Sequence, residues 1–131
     1  MPTDRVNLTF TLGRVWREKM VFKTSTVDTN ALPADPHDLT FEHAEPITSQ
    51  FSSNYLEEDT ANEARARNGW LVLSAYAQKA YGSSEHEPVE QGIRDLLGDL
   101  QHLCNELNLD FPELLRRAQA AFEDELLHPL G

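Results

Sequence analysis

Ile93-Arg94-Asp95-Leu96-Leu97-Gly98-Asp99-Leu100-Gln101-His102-Leu103-Cys104-Asn105-Glu106-Leu107 decides how the second half of this chain folds. Ile93, Leu96, Leu97, Leu100, Leu103, Cys104 and Leu107 recur at helical spacing and form one apolar stripe. This helix opens near Glu87-Pro88, where proline is tolerated in the first turn and acids suit the positive end of the helix dipole. Downstream, Asn108-Leu109 makes a short turn and Asp110 caps another helix, with Glu113 at capping-box spacing. Leu114, Leu115, Ala118, Ala121, Phe122 and Leu126 are expected on its inward face. Upstream, Asp59 or Thr60 caps a helix carrying Ala66, Trp70, Leu73, Ala77 and Ala80 on one side, widened by Tyr76 and Tyr81 and ended by Gly82-Ser83-Ser84. Short turns imply neighbours that run antiparallel, so residues 60–127 are expected as three antiparallel helices.

The first 27 residues have a different pattern. Val6, Leu8, Phe10 and Leu12 alternate with Asn7, Thr9 and Thr11, as in a half-buried strand, and Met20 to Val27 supplies a second run rich in β-branched and aromatic residues. Two strands alone are marginal in water, so a third is sought in Leu39-Thr40-Phe41 and Ile47. The expected fold class is therefore α+β: an N-terminal β-hairpin or small antiparallel sheet packed on a three-helix bundle, in one domain spanning residues 1–131. Residues 28–59 contain Pro33, Pro36 and Pro46 and read mostly as loop.

Charge follows the same division. The 131 residues carry a net charge of −11. Residues 1–23 have a net +3, whereas residues 28–63 hold nine acids and neither Lys nor Arg. Phosphate would be repelled, so direct nucleic-acid binding is not expected. Asp35, Asp38, Glu42, Glu45, Glu57, Glu58 and Asp59 are the candidate partner-binding residues, on the reasoning that a long acidic segment in a small domain needs a use. The longest apolar run, Trp70 to Leu73, is far too short to span a bilayer, and Met1 to Arg5 lacks the start of a signal peptide. No membrane partner and a cytoplasmic location are expected.

Candidate chemistry is sparse. The single cysteine, Cys104, forms no intramolecular disulfide and lies on the apolar stripe, where an inert buried thiol is expected. His102 stands two residues away and points elsewhere, and the five histidines show no metal spacing. His37 and His43 flank Asp38 and Glu42 but read as solvated loop residues. Asp95 and Asp99 share a helix face, with Arg94 expected to turn away. Gly92 and Gly98 each cost about 1 kcal/mol relative to alanine inside a helix, and Gly98, beside the stripe, is expected to admit a neighbouring helix. No catalytic residue, metal ligand or cofactor site is expected.

Two resemblances bear on function. Asp95-Leu96-Leu97-Gly98-Asp99-Leu100, followed by Leu109 to Leu115 and Ala118 to Phe122, resembles the last two helices of MazG-like all-α nucleotide pyrophosphohydrolases. That resemblance implies Mg²⁺-dependent hydrolysis of nucleoside triphosphates, but of the second acidic motif only Asp99 is present, with Leu96 in place of its glutamate. The helix from Ala64 to Tyr81, which would carry the first motif, has no acid. Residues 63–125 also resemble small helical proteins of bacteriophages and mobile elements, through Asp95-Leu96-Leu97, Asp99-Leu100, His102-Leu103-Cys104, Leu109-Asp110-Phe111, Glu113-Leu114-Leu115 and Arg117-Ala118.

The leading functional expectation is a non-enzymatic protein-binding module of a phage or mobile element, in its sharper form an acidic inhibitor of a host defence protein. The alternatives are a MazG-like pyrophosphohydrolase, active or degenerate, and a structural homodimer joined through a helix face with Trp70 and Tyr76 as anchors.

Overall fold

A computed structural model of the chain describes residues 32–131. A single 3-10 turn, Pro36–Asp38, leads into four helices: α1 (Phe41–Thr48), α2 (Ala61–Tyr81), α3 (Val89–Glu106) and α4 (Phe111–Leu127).

The α+β expectation is overturned. Among the described residues there is no strand or sheet, only a lone backbone bridge between Thr40 and Pro88. The proposed hairpin lies in residues outside those described. Both candidates for its third strand are placed, and they serve a helix instead. Thr40 caps α1: its hydroxyl accepts from the His43 amide at 3.3 Å, and His43 Nδ1 accepts from the Thr40 amide at 3.1 Å. This is a capping box with histidine in place of the usual Glu or Gln. Phe41, Ala44 and Ile47 then fall at steps of three on one face, and all three are buried.

The segment expected to be mostly loop thus holds a two-turn helix with Pro46 inside it. Proline there leaves the Glu42 carbonyl without its intrahelical donor. Side chains finish the far end: Thr48 donates to the Glu45 carbonyl at 3.2 Å, and Ser49 and Gln50 donate to that of Pro46 at 3.0 and 2.9 Å. At the near end the Phe41 and Glu42 amides donate to the carbonyls of Glu87 and Glu85, while Val89, opening α3, donates to that of Leu39. The orphan donors at two helix starts are therefore satisfied partly by each other's approach segments.

The buried cluster sits where α1 meets α2 and α3. Phe41, Ala44, Leu73, Ala77 and Val89 form it, with Leu39, Trp70, Tyr81 and Leu96 packed around. The Phe41 and Trp70 rings lie 5.3 Å apart, tilted by 34°, within the favourable range for aromatic pairs. Trp70 therefore packs against the chain's own core.

The two glycines of α3 differ from expectation in an informative way. A side chain at Gly98 would meet nothing within 4 Å, whereas one at Gly92 would start 2.9 Å from Phe41 Cζ. Gly92 is the residue that admits a neighbour, and the neighbour is an aromatic ring.

Tyr76 of α2 reaches Asp99 of α3, and Tyr81 reaches Asp95. The later residue on one helix meets the earlier on the other, so α2 and α3 run antiparallel. The attachment of α4 is different. Asn62 and Arg65, near the start of α2, donate to the carbonyls of Glu125 and Pro129 at 2.8 and 2.9 Å, and Arg65 Nε lies 3.3 Å from the Glu125 carboxylate. Polar contacts thus hold the C-terminal end of α4 to the N-terminal end of α2.

Candidate functional site

The seven acids singled out from the sequence are spread over three elements. Asp35 caps the 3-10 turn by accepting from the His37 amide at 3.0 Å, and Asp38 lies within that turn. Glu42 and Glu45 belong to α1, while Glu57, Glu58 and Asp59 occupy the turn before α2. The structure brings two of them to a shared groove, in which Glu42 and Glu45 line a wall with Glu85 beside Trp70 and Ser74. Glu42 also approaches His86 at 3.6 Å. The other five do not line this groove.

The histidines are engaged separately. His37 Nδ1 meets Glu90 Oε1 at 2.5 Å, tying the 3-10 turn to α3. The Glu90 carboxylate, first by this hydrogen bond and then by its charge, raises the His37 pKa above its ordinary value. His43 spends its ring on the α1 cap.

On the face shared by α2 and α3, the Tyr76 hydroxyl donates to Asp99 at 2.5 Å and the Tyr81 hydroxyl donates to Asp95 at 2.6 Å. Arg94, expected to face away, instead reaches the same Asp95 carboxylate with two donors at 3.2 and 3.0 Å. The Tyr81 hydrogen bond, with Arg94 second, holds the Asp95 carboxyl below its usual range. The hydrogen bond to Asp99 pushes the Tyr76 phenol up to about 12. Asp99, the position matching the pyrophosphohydrolase motif, is thus engaged by a phenol from the helix that lacks the partner acids. Among the described residues no three His, Cys, Asp or Glu side chains gather as a metal site.

The largest departure from the sequence reading is apolar. Cys104 is buried and free, as expected. Yet Leu100, Leu103 and Leu107 on the same stripe are exposed, Leu103 by 52% and Leu107 by 58%. No residue of α4 is buried, although its apolar face was expected to point inward. Leu114 and Leu115 stand exposed, by 38% and 48%. The stripe of α3 joins the main buried cluster at its N-terminal end, where Val89, Gly92 and Leu96 meet Phe41 and Leu73. From Leu100 onward, apart from buried Cys104, its apolar residues Leu100, Leu103 and Leu107 are exposed, as are Leu109 in the connection and Leu114, Leu115 and Phe122 of α4.

Sequence periodicity found Leu100, Leu103, Leu107, Leu114, Leu115 and Phe122 but assigned them to the interior. No protein-family model, curated protein or solved structure matches this chain. Among the described residues no helix is long and apolar enough to cross a membrane.

Proposed function

We propose that this chain is a non-enzymatic, cytoplasmic protein-binding module of a phage or mobile element, and that it binds through the open apolar face of α3 and α4. The observation that carries this reading is the set of exposed leucines on two successive amphipathic helices, beside a core that among the described residues holds nine buried apolar side chains, four of them alanine. Water-facing apolar patches of this kind mark contact surfaces. The pattern shared with mobile-element proteins over residues 63–125 supports the source. A contact of this sort is driven by apolar burial and depends weakly on salt, unlike one made through the acidic segment.

The test is Leu103→Asp and Leu115→Asp in the full chain, followed by helical circular dichroism and thermal melting, with the melt of the unaltered protein repeated over a range of concentrations. On this reading the variants stay helical with cooperative melts, or the unaltered protein melts higher as its concentration rises. Variants that unfold, alongside a melt independent of concentration, would show that the leucines belong to the chain's own interior and would overturn the reading.

A second reading rests on the α1–α2 groove, where Glu42, Glu45 and Glu85 surround Trp70. Carboxylates beside an indole suit a cationic side chain of a partner. This is the surviving form of the acidic-inhibitor idea. It predicts binding that weakens steeply with salt and is lost in Glu42→Gln/Glu45→Gln; salt-independent binding would exclude it.

A further inference from the structure

Building on the reading of the α3–α4 face as a contact surface, we propose that its occupant is a second copy of this chain, with the two α4 helices paired antiparallel about a two-fold axis between Ala120 and Ala121. The charge pattern of α4 carries the argument. Beyond Glu113 in its first turn, its basic residues, Arg116 and Arg117, precede a run of acidic ones, Glu123, Asp124 and Glu125. Arg117 and Asp124 are seven residues apart, two helical turns, and so lie on the same flank. Parallel pairing would leave Arg117 level only with the other copy's Arg117, across the seam, with no acid at its own height. Antiparallel pairing about this axis sets Arg117 of each copy level with Asp124 of the other, and the symmetry makes the pair twice.

The same register aligns the remaining residues. Leu115 comes level with Leu126, and Glu113 with His128. Ala118 and Ala121 lie on the apolar face near the crossing, where small side chains let the helices approach closely. Leu115 is 48% exposed in the single chain and Leu126 is half-buried, so both have surface to lose. Asp124 makes no ion pair among the described residues, and Arg117 has only a long one, 3.8 Å from Glu113. Both are available for a contact between copies.

The test uses the full chain in size-exclusion chromatography with light scattering, together with sedimentation equilibrium. The expected result is a particle of twice 14.9 kDa. Arg117→Glu should weaken the dimer about tenfold or more, and Arg117→Glu/Asp124→Arg should restore most of the loss, because the swapped pair forms again across the axis. A dimer that Arg117→Glu leaves intact, or that the double swap does not rescue, would overturn the antiparallel register. A monomer at every concentration would overturn the second copy as occupant. In that event folded Leu103→Asp and Leu115→Asp variants would leave the face to a different protein, whereas unfolded ones would assign it to residues 1–31 of the same chain and take the contact-surface reading down as well.

Discussion

Phe41 Cζ lies 2.9 Å from where a side chain on Gly92 would begin, so the edge of an α1 ring rests on the backbone of α3. Alanine at Gly92 gains about 1 kcal/mol of helix propensity. It also drives a methyl into a ring that is itself held by Trp70, and overpacking of this kind costs about 1–3 kcal/mol. Gly92→Ala should therefore lower stability in urea unfolding, and Gly98→Ala, with open space at its Cβ, should raise it by about 1 kcal/mol. Equal effects at both sites would refute the contact.

Truncating the ring tests the same junction from the other side. Phe41 is 4% exposed and joins three helices. Phe41→Ala should cost about 3–5 kcal/mol, and Leu73→Ala about 2–5 kcal/mol. Leu103→Ala, on the open face, should change the stability of the separated single chain by about 0.5 kcal/mol or less. A large loss at Leu103 under dilute conditions would place it in the core.

The α1 cap gives a local prediction. Thr40→Ala removes the acceptor for the His43 amide and should cost about 1 kcal/mol, within the usual range for a lost N-cap. Hydrogen exchange should show faster exchange confined to the first turn of α1 and the segment around Glu85 to Val89 that docks on it.

His37 and Glu90 make stability depend on pH. The folded His37 pKa lies above its unfolded value, so folding binds a proton there. The contribution is fully present below the unfolded pKa near about 6.5 and is lost as pH rises through the folded one. His37→Gln should lower the melting temperature slightly at pH 5.5 and leave it unchanged at pH 9. Because the pair is exposed, the effect should also shrink in high salt. A difference that grows toward pH 9 would reverse the assignment.

Tyrosine absorbance offers a check on the α2–α3 face. The chain has three tyrosines, Tyr55, Tyr76 and Tyr81. Tyr76 should ionise last, near about 12, because its proton is held by Asp99. Asp99→Asn should bring that step down toward the ordinary phenol value, whereas a late step that survives Asp99→Asn would show that the bond is not its cause.

Much of the local structure was legible. Asp110 caps α4 by accepting from the Glu113 amide at 3.0 Å, and Gly82 ends α2 with a φ of +80°, both at the expected positions. The box at Asp110 is half made, since the Glu113 carboxylate turns to Arg116 at 3.0 and 2.7 Å. The missed element, α1, carried two readable signals: a threonine three residues before a hydrogen-bonding side chain, and apolar residues at Phe41, Ala44 and Ile47. Pro46 and the β-forming look of Leu39-Thr40-Phe41 outweighed them, because tertiary burial of one helical face can offset a local proline. The acids singled out over residues 35–59 are dispersed in the fold, which sequence spacing does not reveal: Asp35 caps the 3-10 turn and Glu42 lies near His86.

From the sequence alone, the helical spacing of α2, α3 and α4, their apolar faces and several of their ends could be determined, because caps and periodicity are properties of a single helix and its nearest residues. Only the tertiary structure decided which faces are covered. Burial belongs to a pair of surfaces, and two equally apolar stripes look the same in sequence whether or not a partner helix lies against them. On α3 the stripe is covered where Phe41 fits over Gly92 and exposed at Leu103 and Leu107.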